Sequence, residues 1–323
     1  MDKQIKDAKG LSKKVLTVIL LAAMGNVWAA DNSIYIDQSG DNSTITMTQD
    51  GAGNKVKGIL LNGTAGGTTD AAKLSGDAQT VNIEQTGATN VLALGINSTQ
   101  GGTVQGYANI GVNLNYQVSG GGNTGYININ NNGQGTAIGN VISIIQSGGG
   151  ATTNLNMTGT SNQLTVGTSG GANNSFTGTI NADQTIASIS QTGGGGNTTT
   201  VDMTGNKGQV SLTTVGATNT TSVTQSAFGT DGAQTIIDIN GSGNTTSITQ
   251  TGSYDHYANL TTVGSGNSFT LSQTGGAGTG HSATVSVTGG TNTIGITQQG
   301  TVSNLVNMAV SGSSNSYTIL QKN

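Results

Sequence analysis

"GNTTSITQTG", residues 243–252, carries no group equipped for chemistry, yet close relatives of it recur: "TNTTSVTQSA" at 218–227, "GNSFTLSQTG" at 266–275, "TNTIGITQQG" at 291–300 and "SNSYTILQKN" at 314–323. Each places Asn six residues ahead of Gln, at Asn219/Gln225, Asn244/Gln250, Asn267/Gln273, Asn292/Gln298 and Asn315/Gln321. Asn32/Gln38 and Asn140/Gln146 share the spacing, and Ser43/Gln49 and Gln79/Gln85 are variants of it. Alternate residues of an extended strand face the same way, so this spacing puts both ends of a segment on one face. From Asn267 that face reads Asn267, Phe269, Leu271, Gln273; from Ser43 it reads Ser43, Ile45, Met47, Gln49. The interleaved face is Ser268, Thr270, Ser272 in the first case and Thr44, Thr46, Thr48 in the second. Apolar pairs bracketed by amides therefore turn inward, and hydroxyls that suit strand geometry turn outward.

The last five glutamines are spaced by 25, 23, 25 and 23 residues. Between them lie related segments in which Val, Ile or Met replaces Gln: "VDMTG" (201–205), "IDING" (237–241), "VSVTG" (285–289) and "MAVSG" (308–312). Two strands and two glycine-rich corners thus make one coil of 23–25 residues. A fixed period of this length is the signature of a solenoid. The expected fold is all-β: a β-solenoid of stacked two-strand coils whose strands pair in parallel and in register at about 4.8 Å. A buried amide left unpaired costs about 1–3 kcal/mol, whereas in a column each amide donates to one neighbour and accepts from the other. All the Asn, Gln and Ser residues named above are expected to form such columns.

The composition agrees with a thin, repetitive core: 54 glycines, no proline, 3% aromatic and 7% charged residues in 323. Proline would remove a ladder donor from any strand that carried it. Five lysines, Lys3, Lys6, Lys9, Lys13 and Lys14, precede the apolar run Val15–Met24, which is followed by "GNVWAADNS". A basic region, a short apolar run and a small-residue exit read as a signal peptide over 1–29, cleaved after Ala29. Export to the cell surface or beyond is expected, with no membrane insertion after cleavage. Residues 30–323 then form one repeat domain, clearest over 197–323 and blurred over 53–78, 100–135 and 160–185, where bulges or longer corners are expected. From residue 30 onward the chain is acidic, which disfavours nucleic acid as a partner.

Nothing in the sequence points to an enzyme, a cofactor or a metal. There is no cysteine. The two histidines, His256 and His281, fall where the repeat places corners or strand starts, and are read as solvated corner residues. "GGAGTGH" (275–281) approaches a calcium-binding nonapeptide but has Gly280 at the place of its Asp and does not repeat. No glycine cluster is followed by Lys-Ser/Thr, so no phosphate loop is indicated.

"STITMTQDGAGN" (43–54), with Ser43, Gln49, Gly51, Gly53 and Asn54, resembles the curlin repeat of bacterial curli; "NSIYIDQSGDN" (32–42) and "NTTSITQTG" (244–252) resemble it with Asn in place of Ser. The resemblance implies a secreted subunit that assembles end to end with its own kind into amyloid-like extracellular fibres, for biofilm matrix and adhesion, with a nucleator or secretion factor as a further partner. The chain is longer than an ordinary curlin subunit, and its alternate halves carry Val, Ile or Met where curlins carry a second Gln. Only one face is therefore expected to hold a continuous amide ladder. Repeats begin at Asn32 and run to Gln321, so both ends read as mid-solenoid coils and predict end-to-end growth. The alternative is a monomeric solenoid that binds a surface through its outer face, as an adhesin, a phage or autotransporter fibre, or an ice-binding protein does.

Overall fold

The computed structural model describes residues 16–21 and residues 33–322 apart from 59–71, 96–110, 131–139 and shorter gaps. Asn32 and the expected cleavage site lie outside the described residues. Among the described residues every regular element is a strand. The alternation of apolar and hydroxyl residues leaves no other element able to bury one face and wet the other. The strands wind into a β-solenoid with, among the described residues, one sheet of twelve strands and an opposing sheet of seven. The long sheet runs from Leu16–Leu21 through Ser43–Asp50 and Ala78–Thr86 to Ser282–Thr288 and Leu305–Ser311; the short sheet runs from Ile129–Asn130 through Thr221–Ser226 to Phe269–Leu271. Pairing is parallel throughout and in register, so that Val223 stands opposite Ile248 and Gln225 opposite Gln250. Leu16–Leu21, inside the segment read as a leader, pairs with Ser43–Thr48 as the outermost strand.

Coil length departs from the expectation at the start of the chain. Stacked equivalents are 36 residues apart at Gln49/Gln85, 33 at Asn90/Asn123 and 28 at Val112/Asn140. From Asn140/Asn162 onward the spacing falls to 22–25. In the sequence the excess lies between a short-sheet segment and the next long-sheet strand, in a connection where extra length costs little. Within the blurred region 100–135, the described residues 111–119 hold no bulge. Gly111–Ser119 pairs regularly with Ala78–Thr86, turning Val112, Leu114, Tyr116 and Val118 inward.

The opposite corner is invariant in length over much of the chain because a glycine column builds it. Gly87 (φ +135°) and Gly264 (φ +145°) occupy backbone space that side-chain-bearing residues rarely adopt. A Cβ added to Gly264 would collide with the carbonyl oxygen of Gly241 in the preceding coil. The close approach is what lets the next three residues turn the chain onto the short sheet.

Gly264→Ala is expected to lower stability by about 1–3 kcal/mol or more, through overpacking and strain together. Gly167→Ala is the control, because its added Cβ meets no atom nearer than Ile145 Cγ1 at 4.0 Å. That change should stay within about 0.5 kcal/mol of wild type. Thermal unfolding of the two variants checks the assignment, and equal midpoints would contradict it.

Candidate functional site, the amide columns and an open end coil

Three residues beyond the corner glycine stands an asparagine, as in Gly51/Asn54, Gly87/Asn90, Gly216/Asn219 and Gly264/Asn267. Asn Nδ2 donates to Oδ1 of the Asn one coil earlier in Asn90 to Asn54 at 2.8 Å, Asn123 to Asn90 at 2.7 Å and Asn219 to Asn197 at 3.0 Å, but Asn197 Nδ2 and Asn174 Oδ1 make no such bond. The series continues through Asn244, Asn267 and Asn292 at 2.6 Å each, and ends with Asn315 donating to Asn292. In the later coils the second N–H holds the corner, as in Asn244 to Gly241 O at 2.9 Å and Asn267 to Gly264 O at 3.1 Å. Buried Ala151 takes the place between Asn123 and Asn174 and interrupts the column.

The glutamines do not form one ladder on one face. Gln49 and Gln85 lie on the long sheet, Gln85 Nε2 donating to Gln49 Oε1 at 2.7 Å. Val118 succeeds them in that column. Gln146 and Gln191, also on the long sheet, instead accept across the core from the hydroxyls of Thr153 and Thr199, the latter at 2.6 Å. From Gln225 the column moves to the short sheet. There Gln225 donates to Gln250 at 3.1 Å, Gln250 to Gln273 at 2.7 Å, Gln273 to Gln298 at 2.5 Å and Gln298 to Gln321 at 3.1 Å. "VDMTG" belongs to this same half, with Met203 opposite Gln225.

Gln85, Gln146, Gln191, Gln225, Gln250, Gln273 and Gln298 also tie the coil shut. Gln146 donates to Thr152 O at 3.2 Å and Gln191 to Thr198 O at 3.0 Å, both reaching the next short-sheet strand. Gln250, Gln273 and Gln298 reach Tyr257 O, Ser282 O and Leu305 O at 3.1–3.3 Å, the start of the next long-sheet strand. Of the remaining expected residues, Gln38 is half-buried, while Ser43, Gln79 and Asn140 head long-sheet strands. Ser43 Oγ and both amide atoms of Gln79 make no hydrogen bond. Asn140 donates to Asn162 at 2.7 Å. Sequence reasoning met Asn54 only in the curlin resemblance and passed over Asn90, Asn123 and Asn197; the recurring Gly-x-x-Asn spacing was the available signal.

The histidines correct the sequence reading. His256 and His281 are buried, not solvated, at the head of successive long-sheet strands. Their rings stack with centroids 5.1 Å apart, and His281 Nδ1 lies 2.5 Å from Asn304 Oδ1. Tyr116 OH donates to Gln85 Oε1 at 3.0 Å, and burial pushes its phenol well above the usual range. No group of three or more His, Cys, Asp or Glu side chains is placed to hold a metal among the described residues.

The last described coil differs from all those before it. Tyr317 and Ile319 are 48% and 43% exposed, whereas their column predecessors Ile294 and Ile296 are buried. Val306, Met308 and Val310 are half-buried beyond buried Val285 and Val287. Ser316 O and Lys322 N bond back to the coil before. In a parallel ladder successive residues bond to opposite neighbours, so Tyr317, Ile319 and Gln321 turn their backbone groups away from the body. The face is an open β edge floored by apolar side chains.

Comparison of the chain with protein-family models, with curated proteins and with solved structures yields no match.

Gln273→Glu places a carboxyl where Nε2 faces two acceptors, Gln298 Oε1 and Ser282 O. Breaking one side of such a buried network costs about 3 kcal/mol or more. Burial raises the introduced carboxyl's folded-state value above the unfolded one, so the loss should grow as pH rises through about 4.3. Thr270→Glu, on the exposed outer face, should cost under about 1 kcal/mol. Denaturation of both variants across pH checks this, and equal losses would mean the facing is misassigned.

Proposed function

We propose that the chain is a secreted, curlin-like structural subunit that polymerises end to end into amyloid-like extracellular fibres for matrix and adhesion. The observation that carries the reading is the open end coil, Leu305–Ser311 with Asn315–Gln321. It presents a backbone edge, an apolar floor and both amide columns at once. Asn315 has given its Nδ2 to Asn292, and Gln321 Oε1 has accepted from Gln298, so each column carries one unused amide group outward. A surface of this kind takes another coil of the same pattern more readily than any other partner, because pairing in register satisfies every group on it. The basic and apolar segment 1–29 fits export, and a nucleator or secretion factor fits the same edge. No chemistry is assigned to the fibre.

A second reading rests on the outer face of the short sheet. Ser222, Ser247 and Thr270 stand in one column and Thr224 and Thr249 in another, all outward. Such hydroxyl rows suit a monomer that binds an extended surface or ordered water.

The purified chain is expected to form unbranched fibres after a lag, to seed its own kind, and to diffract with a repeat of about 4.8 Å along the fibre axis. Ile319→Pro removes an outward-facing donor from the end coil without touching a bond already made. It should stop elongation at that end and leave the unfolding midpoint of the monomer unchanged. Electron microscopy with seeded kinetics reads both effects. A wild-type chain that stays monomeric for days and shows thermal hysteresis would favour the surface-binding reading instead.

A further inference from the structure

Head-to-tail stacking raises a problem of parity. At the open end, long-sheet strand Leu305–Ser311 precedes short-sheet segment Asn315–Gln321. At the other end the order is Leu16–Leu21, then Ser33–Gln38, then long-sheet strand Ser43–Asp50. Ile34 belongs to the same buried cluster as Ile45 and Val56, and Ile36 packs against it, so Ser33–Gln38 fills the core at that end. Once residues 1–29 are removed, the long half of this first coil is gone while the short half remains.

A second copy can then join in two ways. It can stack its Asn315–Gln321 beyond Ser33–Gln38, which leaves a strand-wide gap between its Leu305–Ser311 and Ser43–Asp50. Gly51 N donates to Thr86 O in the following coil. By the alternation of a parallel ladder, Thr44, Thr46 and Thr48 therefore face the gap, as do Val306, Met308 and Val310 of the other copy. Buried backbone groups left unpaired on both walls oppose this arrangement. Alternatively the copies can join long sheet to long sheet with no gap, and then Asn315–Gln321 takes the space of Ser33–Gln38.

The two segments match for that exchange. "NSIYIDQ" (32–38) and "NSYTILQ" (315–321) share Asn, Ser, Ile and Gln at corresponding positions. Ser33–Gln38 is not a strand of the seven-stranded sheet, so its displacement breaks no ladder of that sheet. We propose that Ser33–Gln38 is a placeholder, which covers the core end of the free subunit and is displaced by Asn315–Gln321 of a second copy when two subunits join. The proposal rests on the end-to-end reading and deepens it: the partner at this site is the end coil of another copy, and joining is a strand exchange. The free subunit is thereby kept from exposing the short-sheet half of its first full coil.

The chain has no cysteine, so engineered pairs report cleanly. The full chain, with a protease site inserted after Ala29, is folded, cut there and polymerised, then oxidised. Exchange puts Tyr317 of one copy against Val56 of the next. A Tyr317→Cys, Val56→Cys chain should therefore give a ladder of disulfide-linked multimers on a non-reducing gel. A Tyr317→Cys, Ile34→Cys chain should give none. Chymotrypsin should cut after Tyr35 faster in the fibre than in the free subunit. Fibres in which the Ile34 pair cross-links and the Val56 pair does not, or in which cleavage after Tyr35 is no faster than in the free subunit, overturn the exchange and leave the fibre reading standing. Absence of fibres in the wild-type chain overturns both.

Discussion

Stacking identical coils at the spacing of a parallel β-ladder forces every side chain to live against its own equivalent. Most of the structure is set by the residues that tolerate this. Branched aliphatic residues do, which gives the column Ile189, Leu212, Ile237, Leu260 and Val285 on the long sheet. Primary amides do, because each carries a donor and an acceptor that reach one repeat up and one repeat down. Charges do not, and the inward positions of the described coils hold none. The glycine corner is the same constraint applied to backbone: where one coil's carbonyl sits against the next coil's Cα, only a residue without Cβ repeats.

The two amide columns run in opposite senses. Asparagines donate toward the start of the chain, from Asn315 back to Asn197, while glutamines from Gln225 to Gln298 donate toward its end. Their dipoles oppose one another along the axis, so lengthening the solenoid adds little net side-chain dipole, in keeping with the small dipole of a sheet. The opposition has a local cause. Each Asn spends its second N–H on its own corner carbonyl, and each Gln spends its second on the start of the next strand. The remaining N–H then points back for Asn and forward for Gln.

Much of the fold was legible because the period and the two-residue alternation both survive in single segments. The inward set of Asn267, Phe269, Leu271 and Gln273 is read from four letters, and burial places all four inside. What could not be read was the sheet on which a segment lies. "STITMTQDG" and "NTTSITQTG" look alike, yet the first is a long-sheet strand and the second a short-sheet strand. Both sheets turn an alternating face to the same thin core, so pattern alone cannot separate them. The connection after each strand does separate them: glycine then asparagine after a long-sheet strand, a corner of variable length after a short-sheet one. The histidines were misjudged for a related reason, since a strand head beside a corner is inside the core here.

A solenoid cannot close on itself as a barrel does, so its two edges are a permanent feature and each needs an occupant. The described chain treats them unequally. At Ser43–Asp50 its own segments, Leu16–Leu21 and Ser33–Gln38, lie over the edge and the core. At Leu305–Ser311 the inward apolar column simply stops, at half-buried Val306, Met308 and Val310. At the first end the coils are long and the Gln49–Gln85 column breaks at Val118; at the second both amide columns run unbroken through five coils, even where the backbone leaves the strand region at Ile296 and Gln298. An edge that must template a newcomer benefits from a rigid, fully paired body behind it, since every loose coil below would add to the entropy lost on docking. An edge that must first release a covering segment benefits from the opposite. In the proposed fibre this gradient in coil length and column continuity would give the two ends different mechanical roles.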